Sequence, residues 1–235
     1  MIRCRKIYAI FLKQAKDTLK NKAILIQFIL FPVLAIIMDH SITLPNMPKH
    51  YFVFVFASMY VGMAPLVSAS SIISEEKQGN TLRVLMMSNI RACEYLIGEG
   101  LLILFACTLG TFVFAAEAGY TGSKLVEFIA LMLLGILISI FLGFGIGAWC
   151  SNQITATSLT VPFMMLLSFV PMIATFNATV EKYAFFLYTQ QISASINPLT
   201  PKGDSFSSFV ILFLNAGAAL LIFTFAYKKR GIIVT

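Results

Sequence analysis

The sequence predicts an all-α polytopic membrane protein. Three observations carry that prediction. First, 59% of the 235 residues are hydrophobic and only 11% are charged, where a soluble domain carries about 25%. Second, the mean hydropathy is +0.88. Third, six apolar stretches approach the roughly 20 residues needed to cross hydrocarbon as a helix. The expected plan is a single domain over 1–235. It has six transmembrane helices, an N-terminal interfacial (elbow) helix over 1–22, a cytoplasmic region over 74–95, and an outer segment over 177–205 before span six. That outer segment is expected to hold a short re-entrant or surface helix.

The N-terminal arm comes first. Ile7, Ile10, Phe11, Ala15 and Leu19 share one face at helical spacing, while Lys6, Lys13, Lys16, Asp17 and Lys20 lie mostly on the other. An amphipathic basic helix of this kind suits a membrane surface rich in anionic lipid. The arm is too long and charged for a cleavable leader, and no small-residue cleavage motif follows its apolar run.

The spans follow in order: Ala23–Met38, Tyr51–Ile73, Tyr95–Ala116, Lys124–Trp149, Thr155–Phe176 and Phe206–Tyr227. Span two carries Phe52, Phe56, Met59 and Met63 on one face and then Pro65, a bend. Span four repeats Gly135, Ser139, Gly143 and Gly147 every four residues. Such a ridge of small residues lets another helix approach closely. Span five holds Pro162 and Pro171, which bend or break it, with Phe163, Leu167 and Val170 on one face.

Basic residues set the orientation. Only Lys49, Lys124, Lys182 and Lys202, four of the 17, fall on the side opposite the termini. The positive-inside rule therefore places both termini and the 74–95 island in the cytoplasm. The basic balance then reflects topology, not nucleic-acid binding.

Between spans two and three, Glu75-Glu76-Lys77 precede a break at Gly79-Asn80. Thr81 is placed to cap a new helix whose apolar stripe is Leu82, Leu85, Met86 and Ile90. Such a helix offers a greasy face to a partner. Asp39, Glu99, Glu117 and Glu127 lie near span ends, where snorkelling or pairing accounts for them.

The remaining chemistry is sparse. Cys4, Cys93, Cys107 and Cys150 form no metal or disulfide spacing. His40 and His50 end spans one and two on the outer side, without an apparent third ligand, which favours an interfacial role over a metal site. There is no Walker A sequence, HExxH or nucleophile elbow, so no catalytic residue is assigned and no cofactor is expected in this chain. Asn177-Ala178-Thr179 matches the glycosylation pattern by composition alone.

With these residues in place, the segment EE-K-x-G-x-TL-x-x-L after span two resembles the coupling region of type-2 ATP-binding-cassette (ABC) permeases of the compact bacterial kind. The outline of the whole chain is similar to theirs. Arg83 and Asn89 stand where an acidic residue and a proline are common. The resemblance implies a non-catalytic permease subunit in a bacterial cytoplasmic membrane. It would pair with a second permease subunit, the same or a similar chain, and with two copies of an ATPase that binds ATP and Mg. Glu75, Glu76, Thr81, Leu82, Leu85 and Met86 would contact the ATPase, and Phe56, Met59, Met63, Phe163 and Leu167 would line a pathway. Export of hydrophobic drugs or amphipathic peptides, including bacteriocins, antimicrobial peptides or modulin-type toxins, is the implied activity. The alternatives are an ion or proton-coupled carrier and a sensory docking platform.

Overall fold

The structure, a computed structural model, describes residues 4–42, 47–197 and 205–230. The turn expected at Pro198 and Thr200-Pro201 lies outside these. Every regular element among them is an α-helix: α1 (Cys4–Lys20), α2 (Lys22–Ser41), α3 (Tyr51–Gln78), α4 (Thr81–Met87), α5 (Ala92–Glu117), α6 (Gly122–Trp149), α7 (Gln153–Ala174), α8 (Ala178–Ala184), α9 (Tyr188–Ile196) and α10 (Ser205–Arg230). Six of them, α2, α3, α5, α6, α7 and α10, are long and apolar enough to cross a membrane. The protein is therefore a multi-pass membrane protein, as the sequence predicts.

Helix α3 is the axis of the bundle. It packs against α2, α5, α6, α7 and α9 and is buried along most of its length. Its 28 residues rise about 42 Å at 1.5 Å each, against a hydrocarbon core of about 30 Å. The helix is thus long enough for its charged end, Glu75 to Gln78, to lie beyond the apolar layer. Pro65, Pro162 and Pro171 all sit inside continuous helices, so span five is not broken.

The small-residue ridge of α6 lies against α3. A Cβ on Gly143 would fall 2.5 Å from Leu66 O, and one on Gly147 would fall 2.9 Å from Ile73 Cβ. One turn before Gly143, Ser139 Oγ donates to Val61 O at 2.6 Å. Ser139 has one proton to give, so the Tyr188 hydroxyl, 2.6 Å away, donates to Ser139. Helix α7 joins α3 through Ser168, whose hydroxyl donates to Met59 O at 3.1 Å, and through the Ser70–Thr160 pair at 2.8 Å.

The segment between α7 and α10 holds two short helices, α8 and α9. Asn177 caps α8, its side chain accepting from Thr179 N and Val180 N. Helix α9 then turns inward among α3, α6, α7 and α10, burying Tyr188, Thr189, Gln190, Gln191 and Ile192. Polar composition suggests a surface, yet α9 is short enough to be covered by its neighbours. The four cysteines are free.

Candidate functional site

The turn from α3 into α4 is built from backbone geometry. Gly79 N donates to Glu75 O at 2.9 Å, closing α3. Asn80 adopts φ 55, in the left-handed region that asparagine tolerates. Thr81 does not cap α4. Asn80 holds the capping position without a side-chain bond, and Thr81, the first helical residue, donates its hydroxyl back to Glu76 O at 3.1 Å.

Helix α4 lies with its apolar stripe inward. Leu82 is 1% exposed, and Leu85, Met86 and Ile90 are partly buried against the main core. The greasy face expected to be open to a partner is thus largely covered by the protein itself. Spacing shows which residues share a face, and the surface nearest at hand covers it. The outward face carries Arg83, Val84 (63% exposed) and Met87 (81% exposed). Glu75 is exposed, whereas Glu76 is buried.

Several neighbours hold this turn. Lys13 Nζ of α1 lies 2.5 Å from Glu76 Oε1, with Asp17 at 3.8 Å. Burial pulls the Lys13 pKa down, but the hydrogen bond and charge of Glu76 outweigh it, so the pKa stands above the ordinary lysine value. Lys6 donates to Asn89 O and lies 4.0 Å from Glu94. Lys77 donates to Ala148 O at 2.7 Å, and Gln153 N donates to the Gln78 side chain at 2.9 Å, which tie in α6 and α7. Helix α1 packs on α5 closely enough that a Cβ on Gly98 would fall 2.8 Å from Ile10 Cγ2. Its buried face is Ile10, Gln14 and Thr18, rotated from the purely apolar face the spacing favours; Leu19 is exposed. Between α1 and the turn lies a cleft of about 500 Å³, lined by Lys13, Asp17, Glu75, Glu76 and Thr81 among others.

The expected pathway residues divide. Phe52, Phe56 and Met63 are half-buried positions on a stretch of α3 that is otherwise buried, flanked by α2, where Phe31 meets Phe56, and by the turn after α7, where Phe176 meets Tyr51. Phe163 is half exposed on α7. Met59 and Leu167 belong instead to the core. A Cβ on Gly62 would fall 3.1 Å from the Leu167 backbone, and the two helices leave no lumen there.

Glu99 departs furthest from expectation. It is 0% exposed on α5, and neither carboxyl oxygen accepts a hydrogen bond among the described residues. It does not snorkel, because α1 covers this part of α5. Sequence spacing could not reveal that cover, nor the role of Lys13 and Lys6 in holding the turn. No protein-family model matches the chain, and no curated protein matches it.

Proposed function

We propose that the chain is the membrane-spanning subunit of an ATP-driven ABC exporter in a bacterial cytoplasmic membrane. It works beside a second permease subunit, with two copies of a separate ATPase docked on the face that carries α4. One observation carries this reading. Helix α4 is a short lever fixed to the end of the most buried span, and α1, α6 and α7 are tied to the same turn. A push on α4 cannot stay local. It moves α3 and the helices packed on it as nearly rigid bodies, the usual form of such transitions. The basic residues clustered at that end support its placement in the cytoplasm.

The docking surface is Arg83, Val84 and Met87 with Glu75, while Leu82, Leu85 and Met86 transmit the push inward. The partly open stripe Phe52, Phe56 and Met63 between α2 and α7 suits hydrophobic drugs or amphipathic peptides. ATP and Mg act on the partner. The test is to purify the tagged chain from its native membrane. An ATPase should co-purify, be lost with Met87→Asp, and show hydrolysis stimulated by a hydrophobic peptide or drug. A chain that retains no ATPase, together with transport unaffected by Met87→Asp, rejects the reading.

A carrier coupled to protons or cations is the second reading, favoured by the buried, unpartnered Glu99 carboxyl. It requires that Glu99→Gln abolish transport and that ATP depletion at constant ion gradient leave transport intact.

A further inference from the structure

The end of the bundle opposite α4 gathers four side chains that are scattered in sequence. Asp39 and His40 lie in the last turn of α2, His50 precedes α3, and Glu117 ends α5. Ligand atoms of Asp39, His50 and Glu117 all lie within 4.8 Å of one another. His50 Nδ1 is 2.8 Å from Asp39 Oδ2, and His40 Nδ1 is 3.2 Å from Glu117 Oε1. His40 Nδ1 also lies 3.1 Å from Ile36 O. Carbonyl oxygens only accept, so that nitrogen carries the proton and holds the Glu117 carboxylate. All three candidate ligands are partly buried and line a cleft of about 370 Å³, which Lys49 also borders.

We propose that Asp39, His50 and Glu117 bind a divalent transition-metal ion, of which Zn²⁺ is the reference. One imidazole and two carboxylates make a three-ligand set that leaves a position for water, a combination Zn²⁺ accepts. The two carboxylates match the charge of a dication. The imidazole selects against Mg²⁺ and Ca²⁺, which take oxygen donors. Zinc bonds of about 2.0–2.2 Å put tetrahedral donors roughly 3.4 Å apart, so side-chain rotation closes the observed spacing. His40 is a positioning residue that orients Glu117 from outside the ligand set. His50 holds φ 60, a backbone state that surroundings must maintain for a non-glycine residue. Bound metal joins the end of α2, the start of α3 and the end of α5. It acts on the face opposite the proposed ATPase and does not depend on that proposal.

The test uses the full chain, with Cys4→Ser and Cys93→Ser removing its two exposed thiols. After chelator treatment it is titrated with Zn²⁺ by calorimetry and with Co²⁺ by visible absorption. One ion per chain is expected, together with a Zn²⁺-dependent rise in Tm. His50→Ala and Glu117→Gln should each weaken binding at least about 10-fold, and His40→Ala should weaken it about 10-fold while altering the Co²⁺ band and keeping the stoichiometry. If His50→Ala does not fold, Asp39→Asn makes the same test. Absence of saturable Zn²⁺ binding to the parent chain overturns the proposal. So does binding that survives loss of His50 and Glu117 together, or equal competition by Mg²⁺.

Discussion

Lys13 and Glu76, 63 positions apart, meet with Nζ 2.5 Å from Oε1 and bind α1 to the last turn of α3. The contact stands three residues before Gly79, where the chain turns toward α4. Lys6 reaches the other side of the same excursion at Asn89. Helix α1 is therefore a brace across both ends of the α4 segment. Asn89 itself sits at φ 63, a conformation closed to proline, whose ring holds φ near −65°.

Removing that brace has a graded cost. Lys13→Ala is expected to destabilise the chain by about 1 kcal/mol, less than a fully buried pair, because 38% of the lysine side chain is solvent-exposed. In a double-mutant cycle with Glu76→Gln the two changes should be non-additive. The pH dependence has a definite sign. The folded-state pKa of Lys13 is raised above 10.5, so its contribution is complete below that pH and is lost as pH rises through the raised value. Thermal melts of wild type and Lys13→Ala should keep a constant gap from neutral pH up to 10.5 and converge only as pH rises beyond it. A gap that already closes between neutral pH and 10.5 contradicts the assignment.

Helix α4 separates stability from docking. Leu82→Ala empties a buried site and should cost about 2–5 kcal/mol. Met87→Asp changes an exposed side chain and should shift Tm little, yet abolish ATPase retention under the proposed function. Measuring Tm and co-purification on both variants distinguishes the two faces. Equal losses of Tm would show that Met87 is structural.

The α6 ridge makes a sharper stability prediction. Gly143→Ala puts a methyl 2.5 Å from Leu66 O and 2.7 Å from Ala69 Cβ, atoms of a neighbouring helix that cannot rotate away. A loss of about 1–3 kcal/mol is expected. Gly217→Ala meets nothing within 4 Å and should gain roughly 0.5–1 kcal/mol of helix propensity. Similar Tm values for the two variants would contradict the packing.

Hydropathy made the spans legible nearly to their ends, because the length of an apolar run is a local property. The four-residue ridge of α6 was legible for the same reason. The orientation of α4 was not. Its stripe is local, but the surface that covers Leu82 comes from elsewhere in the fold. The inward packing of α9 was only one of two expectations, since Thr189, Gln190 and Gln191 suit a surface equally until their neighbours are known. His40 and His50 were visible, while their carboxylate partners were not, since Glu117 lies 67 positions after His50.

Glu99 gives the prediction that bears most on function. An ionised carboxylate with no hydrogen-bond donor costs several kcal/mol to bury, and Glu99 is fully covered with both oxygens unpartnered among the described residues. Lys13 lies close enough to feel its charge, but its ammonium is already engaged by Glu76. Glu99→Gln removes the ionisable group at nearly constant volume, so Tm should stay level or rise. Under the exporter reading, ATP-driven transport persists in this variant, because no ion crosses at Glu99. Under the carrier reading, transport stops while the fold is retained. Glu99→Leu then separates a polar requirement from a charge requirement. If Gln supports transport and Leu does not, the buried carboxyl serves as a hydrogen-bonding group that α1 and α3 engage as the spans move.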